Sequence, residues 1–325
     1  MIRALPAALL ACCAALAHAQ APPLELVATI PMPDVKGRID HFAADPKSRR
    51  LFVAALGNDS VEVVDVEKNR HDTLRGFDEP QGIGHAAQAG RVFVANGQGA
   101  RVVVLDAASL KVLDTIKGLD DADNVRLDPA AHSVLVGYGK GALAILDETT
   151  GAITGRIALP GHPESFQLES RGSRVFVNVP WAHKIVVADR VKKVAVAEWG
   201  LPLAAGNYAM ALDESGRRLF VAARLPATLL VYDIDSGDNV AKLPVGGDVD
   251  DMFFDAERRR IYLVCGEGRI DVVRQEAPDR YTLEGSVKTA PRARTGIFVP
   301  ELQALYVAAP ADSGAPARIL AYRVR

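Results

Sequence analysis

The apolar residues of this chain fall in short blocks that repeat. A three-residue run recurs as Leu51-Phe52-Val53, Val92-Phe93-Val94, Val134-Leu135-Val136, Val175-Phe176-Val177, Leu219-Phe220-Val221, Ile261-Tyr262-Leu263 and Leu305-Tyr306-Val307. The starts lie 41, 42, 41, 44, 42 and 44 residues apart. In five repeats a second run follows and ends in aspartate, at Asp65, Asp106, Asp147, Asp189 and Asp233; Arg274 and Arg323 stand there in the last two. The blocks are rich in β-branched and aromatic residues and are bounded by Gly, Asp, Asn or Pro. That is the mark of short strands joined by tight turns. No 3.6-residue period is sustained. Four short strands in about 42 residues make one propeller blade, so seven copies predict an all-β, seven-bladed β-propeller. The repeated aspartates are read as turn caps.

The ends of the chain fit a closed ring. Repeat seven shows three strand runs, Thr295–Phe298, Ala304–Ala309 and Ile319–Val324, and lacks a fourth. The segment Leu24–Ile30 supplies it, since Ala28-Thr29-Ile30 matches Asp114-Thr115-Ile116 of repeat two. Closure by an N-terminal strand removes the sheet edges that an open solenoid would leave bare.

The segment from Phe93-Val94-Ala95-Asn96-Gly97, through Val102-Val103-Val104-Leu105-Asp106, to Thr115-Ile116 resembles the repeat of the YncE-like (YVTN) β-propeller family. The resemblance covers essentially the whole chain after its first twenty residues. It implies the fold, and it says little of activity, because propellers host many functions.

Residues 1–19 read as a secretory signal peptide: Arg3, an apolar stretch from Ala4 to Leu16, then Ala17-His18-Ala19 before Gln20. The apolar stretch is too short for a membrane span. Cleavage between Ala19 and Gln20 would leave residues 20–325 as a single propeller domain, periplasmic or secreted. A loose lipobox, Leu9-Leu10-Ala11-Cys12, makes a lipoprotein at Cys12 the minor alternative. Cys265 is then the lone mature cysteine, expected as a buried small hydrophobe. A net charge of −2 gives no basic field for nucleic acid.

Candidate chemistry lies just before each inner strand, where seven loops converge on the axis. Eleven residues before the apolar run stand Asp40, Gln81, Asp123, Glu164, Tyr208, Asp250 and Arg294. Neighbouring offsets bring Arg38, His41, Asn124, His162, Asp251 and Arg292. Arg126 is two residues beyond Asn124, and the loops of the same face add Asn178, Arg224 and Glu267. So many ionisable groups are costly to desolvate unless they pair or bind something.

Two ligand chemistries fit. Asp40, Asp123, Asn124, Glu164, Asp250 and Asp251 are oxygen donors suited to Ca2+ or Mg2+, with His41 and His162 as candidate acid or base. Arg38, Arg126, Arg224, Arg292 and Arg294 suit a carboxylate or phosphate. The competing reading is a salt-bridge lattice between blades. The expectation is a binding or interaction protein whose partner is a small polar molecule or a protein, with Gln81, Asn178 and Glu267 among the ligand-binding residues. The alternative is a divalent-metal-dependent hydrolase or lyase, similar in architecture to the lactonase and streptogramin-lyase propellers.

Overall fold

The computed structural model describes residues 22–325. The signal peptide expected over residues 1–19, with Cys12, lies outside the described residues. The chain folds into seven four-stranded antiparallel sheets arranged as blades of a ring. Blade one shows the pattern: Phe42–Asp45, Arg50–Ala55, Ser60–Asp65 and Arg70–Arg75, each paired with the next. The inner strands of the other blades are Pro80–Ala86, Val125–Asp128, Phe166–Leu168, Ala205–Asp213, Val249–Asp255 and Gly296–Val299.

Middle strands read as near-continuous apolar runs because both faces of each sheet are covered. In Arg50–Ala55 every residue after Arg50 is buried, and the same holds in Arg91–Asn96 and Arg174–Val179. Outer strands such as Val112–Lys117 and Val194–Gly200 front solvent and are mostly exposed. Each pair of adjacent blades encloses one apolar cluster. Phe52 and Val92 meet between blades one and two, Leu135 and Val175 between three and four, and Phe220 and Ile261 between five and six.

Ring closure is as the sequence predicts. Leu24–Pro31 pairs antiparallel with Arg318–Val324 and completes blade seven. Ile30 and Met32 are fully buried in the cluster between blades seven and one. Thr295 Oγ1 donates to the Ile39 carbonyl at 3.1 Å across the same seam.

The repeated aspartates cap turns. Asp65 accepts from the backbone of Glu67 and Lys68, Asp147 from Thr149 and Thr150, and Asp233 from Asp235 and Ser236. In blade six no such cap is needed. Its third and fourth strands run on to Ala277 and start at Arg280, a longer hairpin turned at Pro278-Asp279. Cys265 is fully buried, and burial pushes its thiol up to about 12, so it is inert.

A test of the closing strand compares two of its residues. Ile30→Ala should cost about 2–5 kcal/mol in urea unfolding, the usual loss for a buried aliphatic truncated to alanine. Val27→Ala, on the exposed side of the same strand, should stay within about 0.5 kcal/mol. Equal effects would mean that the strand's buried face does not hold the ring shut.

Candidate functional site

The axial loops are built by the repeat. The residue thirteen before each apolar run takes a left-handed backbone in five blades, at Glu79, Asp121, Gly206, Asp248 and Arg292. This bend turns the chain from the outer strand of one blade to the inner strand of the next. The turn between the second and third strands packs on it: Gly97 N–H donates to the Glu79 carbonyl at 2.8 Å, and Gly266 N–H to that of Asp248 at 2.9 Å. Gly82 is required where blades two and three meet, because a Cβ there would lie 2.1 Å from the Asp123 carbonyl oxygen. The side chains that follow each bend therefore share one mouth.

His41 sits at its centre. Nδ1 lies 3.1 Å from Asp251 Oδ1, across the channel in blade six. Nε2 lies 3.3 Å from the Asn124 carboxamide nitrogen, 3.8 Å from Asp40 Oδ1 and 3.9 Å from Asp123 Oδ1. A protonated ring donates from both nitrogens, so Asn124 must then turn its oxygen toward Nε2. Burial works against that charge, but Asp251 and Asp40 outweigh it and hold the imidazolium to about 10.

Beside it stand Asp123, His162 and Glu164, whose ligand atoms all lie within 4.8 Å of one another. His162 Nδ1 is 2.6 Å from the Gly139 carbonyl, which fixes that nitrogen as the donor and turns Nε2 toward Asp123, 3.7 Å away. Burial opposes charge on His162 as well, yet the facing Asp123 and the Gly139 carbonyl raise it to about 9. Burial and the charges of Asp123 and Asp250 push Glu164 up to about 8. Burial also lifts Asp40, to about 6, against the pull of His41 and Arg38. Burial works the same way on Asp123, but His162 and His41 keep its carboxyl below the usual range.

Hydrogen bonding does not satisfy this group. In fully buried Asp40, Oδ2 meets Arg38 Nη2 at 2.8 Å, and Oδ1 has no hydrogen-bond partner. Asn124 Oδ1 is likewise without one.

The opposite side of the mouth is a balanced lattice. Arg224 Nη2 lies 2.7 Å from Asp250 and 3.1 Å from Asp248. Arg294 reaches the same two carboxylates at 3.0 and 3.1 Å. The Tyr208 ring stacks 3.8 Å from the Arg224 guanidinium. Three of the five arginines expected to clamp an anion, Arg38, Arg224 and Arg294, are thus engaged by acids.

The structure brings Arg38, Asp40, His41, Asp123, Asn124, His162, Glu164, Arg224, Asp250, Asp251 and Arg294 to one mouth. Five expected residues stand apart. Arg292 is exposed and donates to the Ala311 carbonyl at 2.7 Å. Asn178 is fully buried, its amide bracing the Tyr208 and Ala209 carbonyls of the next blade. Gln81 lies toward the rim near Asp121, at 3.5 Å. Glu267 is exposed and paired with Arg269 at 3.0 Å. Arg126 points into the channel below the mouth. The sequence reading had His162 as a candidate acid or base; the structure sets its imidazole beside the carboxylates of Asp123 and Glu164. The sequence held that signal, since His162-Pro163-Glu164 follows Asp123 by one blade length.

Four of these shifts share one sign, that of Asp123 being opposite. Glu164 near 8 and Asp40 near 6 lie above their ordinary 4.5 and 3.8, and His41 near 10 and His162 near 9 lie above 6.5. Within each interval the folded protein keeps a proton that the unfolded chain has released, so stability falls as pH rises. Metal-free protein should therefore melt at progressively lower temperature from pH 5 to about pH 10, and Glu164→Gln should flatten the slope below pH 8. A melting temperature that rises over this range would contradict the assignment.

No family model matches the sequence. The YncE proteins of Salmonella typhi and Salmonella typhimurium are each 25% identical to it over 196 residues, 58% of this chain and 54% of theirs. The match thus spans about half the length of those curated relatives. Among solved structures, Kuenenia stuttgartiensis hydrazine synthase superposes with a TM-score of 0.77 at 15% identity, over 90% of this chain and 98% of that one. A chain of the mitotic checkpoint complex gives 0.74 at 15% identity, over 98% and 99%. At that identity the solved structures show the fold alone. The chain is a seven-bladed β-propeller, similar in sequence to the YncE proteins over those 196 residues.

Proposed function

We propose that this is an exported binding propeller that holds a divalent cation at the channel mouth through Asp123, His162 and Glu164, and captures a small polar ligand on that cation. The carrying observation is the close grouping of Asp123, His162 and Glu164 beside two buried oxygens, Asp40 Oδ1 and Asn124 Oδ1, that neither accept a hydrogen bond nor meet a guanidinium. Buried carboxylates in such number are costly unless a positive charge meets them. The arginines do not supply enough. Arg38, Arg224 and Arg294 face Asp40, Asp121, Asp123, Glu164, Asp248, Asp250 and Asp251, an excess of four acids before the imidazoles count. Protons on His41 and His162 are one remedy; a divalent cation is the other.

The donor set favours one kind of metal. Carboxylates alone suit Ca2+ or Mg2+. An imidazole with a carbonyl-pinned Nδ1 suits Mn2+ or Zn2+ better, and the Gly139 carbonyl is the outer partner such a ligand needs. Export rests on the sequence of residues 1–19. No helix among the described residues is long and apolar enough to cross a membrane.

A hydrolase or lyase reading is favoured by one further observation. His41 is oriented by Asp251 on one nitrogen and faces the cluster with the other. That is the base–orienter arrangement of acid–base catalysis. A bound cation would polarise a carbonyl or phosphoryl oxygen. His41, held as imidazolium, would then donate a proton to the leaving group.

Elemental analysis before and after chelation, with melting curves in Mn2+, Zn2+, Ca2+ and Mg2+, tests the proposal. At a hundredfold excess over Kd the preferred cation should add about 2.7 kcal/mol of stability. His162→Ala and Asp123→Asn should remove that gain. An unchanged response in His162→Ala would take the imidazole out of the site. No response to any cation would leave a proton-balanced lattice. Turnover of lactones or esters by the metal-loaded protein, lost in His41→Gln, would decide for the enzyme.

A further inference from the structure

Below His41 the channel opens into a cavity of about 400 Å3, within the range of small-molecule sites. It extends to Pro46 and Glu301, in turns on the face opposite the mouth. The position eight residues before the apolar run contributes Ala43, Gly84, Arg126, Gln167, Phe253 and Ile297 to its lining. Only Arg126 among these is charged.

Arg126 has no acid within 4.0 Å among the described residues. Two of its five N–H donors are used, one on the Val125 carbonyl at 2.9 Å and one on Ser165 Oγ at 3.3 Å. The guanidinium lies over the Phe166 ring, 5.6 Å from its centroid. Burial lowers its pKa, with Asp251 and Asp123 opposing at longer range. Two carboxyls line the cavity, and neither partners it. Asp251 is taken by His41 and by the Gly296 N–H at 2.9 Å. Glu301 is exposed at the far opening.

A guanidinium with three open donors beside an apolar wall is an anion anchor. Its surroundings narrow the anion. Leu127, Met210, Met252, Phe253 and Ile297 offer apolar wall, and the other cation on the lining, His41, is already paired with Asp251. A second negative charge would go unmatched beside Asp251. We infer that the channel is a second ligand site, distinct from the mouth, for a small monocarboxylate with an apolar body, its carboxylate on Arg126 and Ser165 and its body against the apolar wall. The His41–Asp251 pair is the septum between the two sites.

Octanoate is the probe, titrated calorimetrically into chelated protein and into Mn2+-loaded protein. One octanoate should bind per chain, with the same affinity in both preparations. Arg126→Gln should weaken it at least tenfold while its melting temperature and metal response stay near those of the parent. Octanol, of equal length and no charge, should bind the parent and Arg126→Gln alike. Octanoate affinity unchanged in folded Arg126→Gln would overturn the site. So would binding that disappears on chelation, which would put the carboxylate on the mouth cation, and so would absence of binding at millimolar octanoate. If Arg126→Gln does not fold, Ser165→Asp carries the test. It sets a carboxylate beside the guanidinium and should abolish octanoate binding in chelated protein; retained binding overturns the proposal.

Discussion

No blade of this protein can bury its own faces. A four-stranded sheet has two, and here both carry large apolar side chains from the middle strands, so each sheet needs a neighbour on either side. Seven sheets meet that need only by closing on themselves, with one apolar cluster in every gap. The inner strands then surround an axis, and the loops that enter them crowd one mouth. The functional geometry follows from a packing requirement that concerns residues far from the mouth.

The charges at that mouth are divided between its two sides. On the side of blades five to seven, arginine and aspartate alternate and neutralise one another. On the side of blades one, three and four, acids gather around two imidazoles and a single arginine. His41 joins the two sides by reaching blades three and six from blade one. It is held by polar contacts from several blades rather than by apolar packing. Its position therefore depends on the ring being complete.

The architecture was legible in the sequence for physical reasons. Strands of a repeat must present the same pattern at the same interval, so a spacing of 41 to 44 residues carries the blade count. The split blade showed itself because Leu24–Ile30 carries the pattern missing after Val324. The site was legible as a set of positions and not as a set of partners. A fixed offset tells how far along a strand a residue lies. It does not tell toward which neighbour the side chain turns. Arg224 and Arg294 could be read as anion clamps or as lattice partners, and they are engaged by Asp248 and Asp250. Asn178 shares the face and spends its amide on backbone carbonyls of blade five. Arg126, two residues past Asn124, falls below His41. Each difference concerns contacts between blades, such as Arg224–Asp250, 26 residues apart, and Asn178–Tyr208, 30 apart, which a repeat pattern does not encode.

Pairing of Leu24–Pro31 with Arg318–Val324 has a temporal consequence. Six blades can assemble from neighbouring stretches of chain, each hairpin closing a short loop. The seventh joins residues nearly 300 apart, as in the contact of Leu24 with Val324. Loop-closure entropy and high contact order make such a seam the slow step of assembly. Until it forms, the newborn chain is an open crescent whose two end sheets lack neighbours and whose axis does not exist. The mouth and the channel would then come into being together, in the last event of folding.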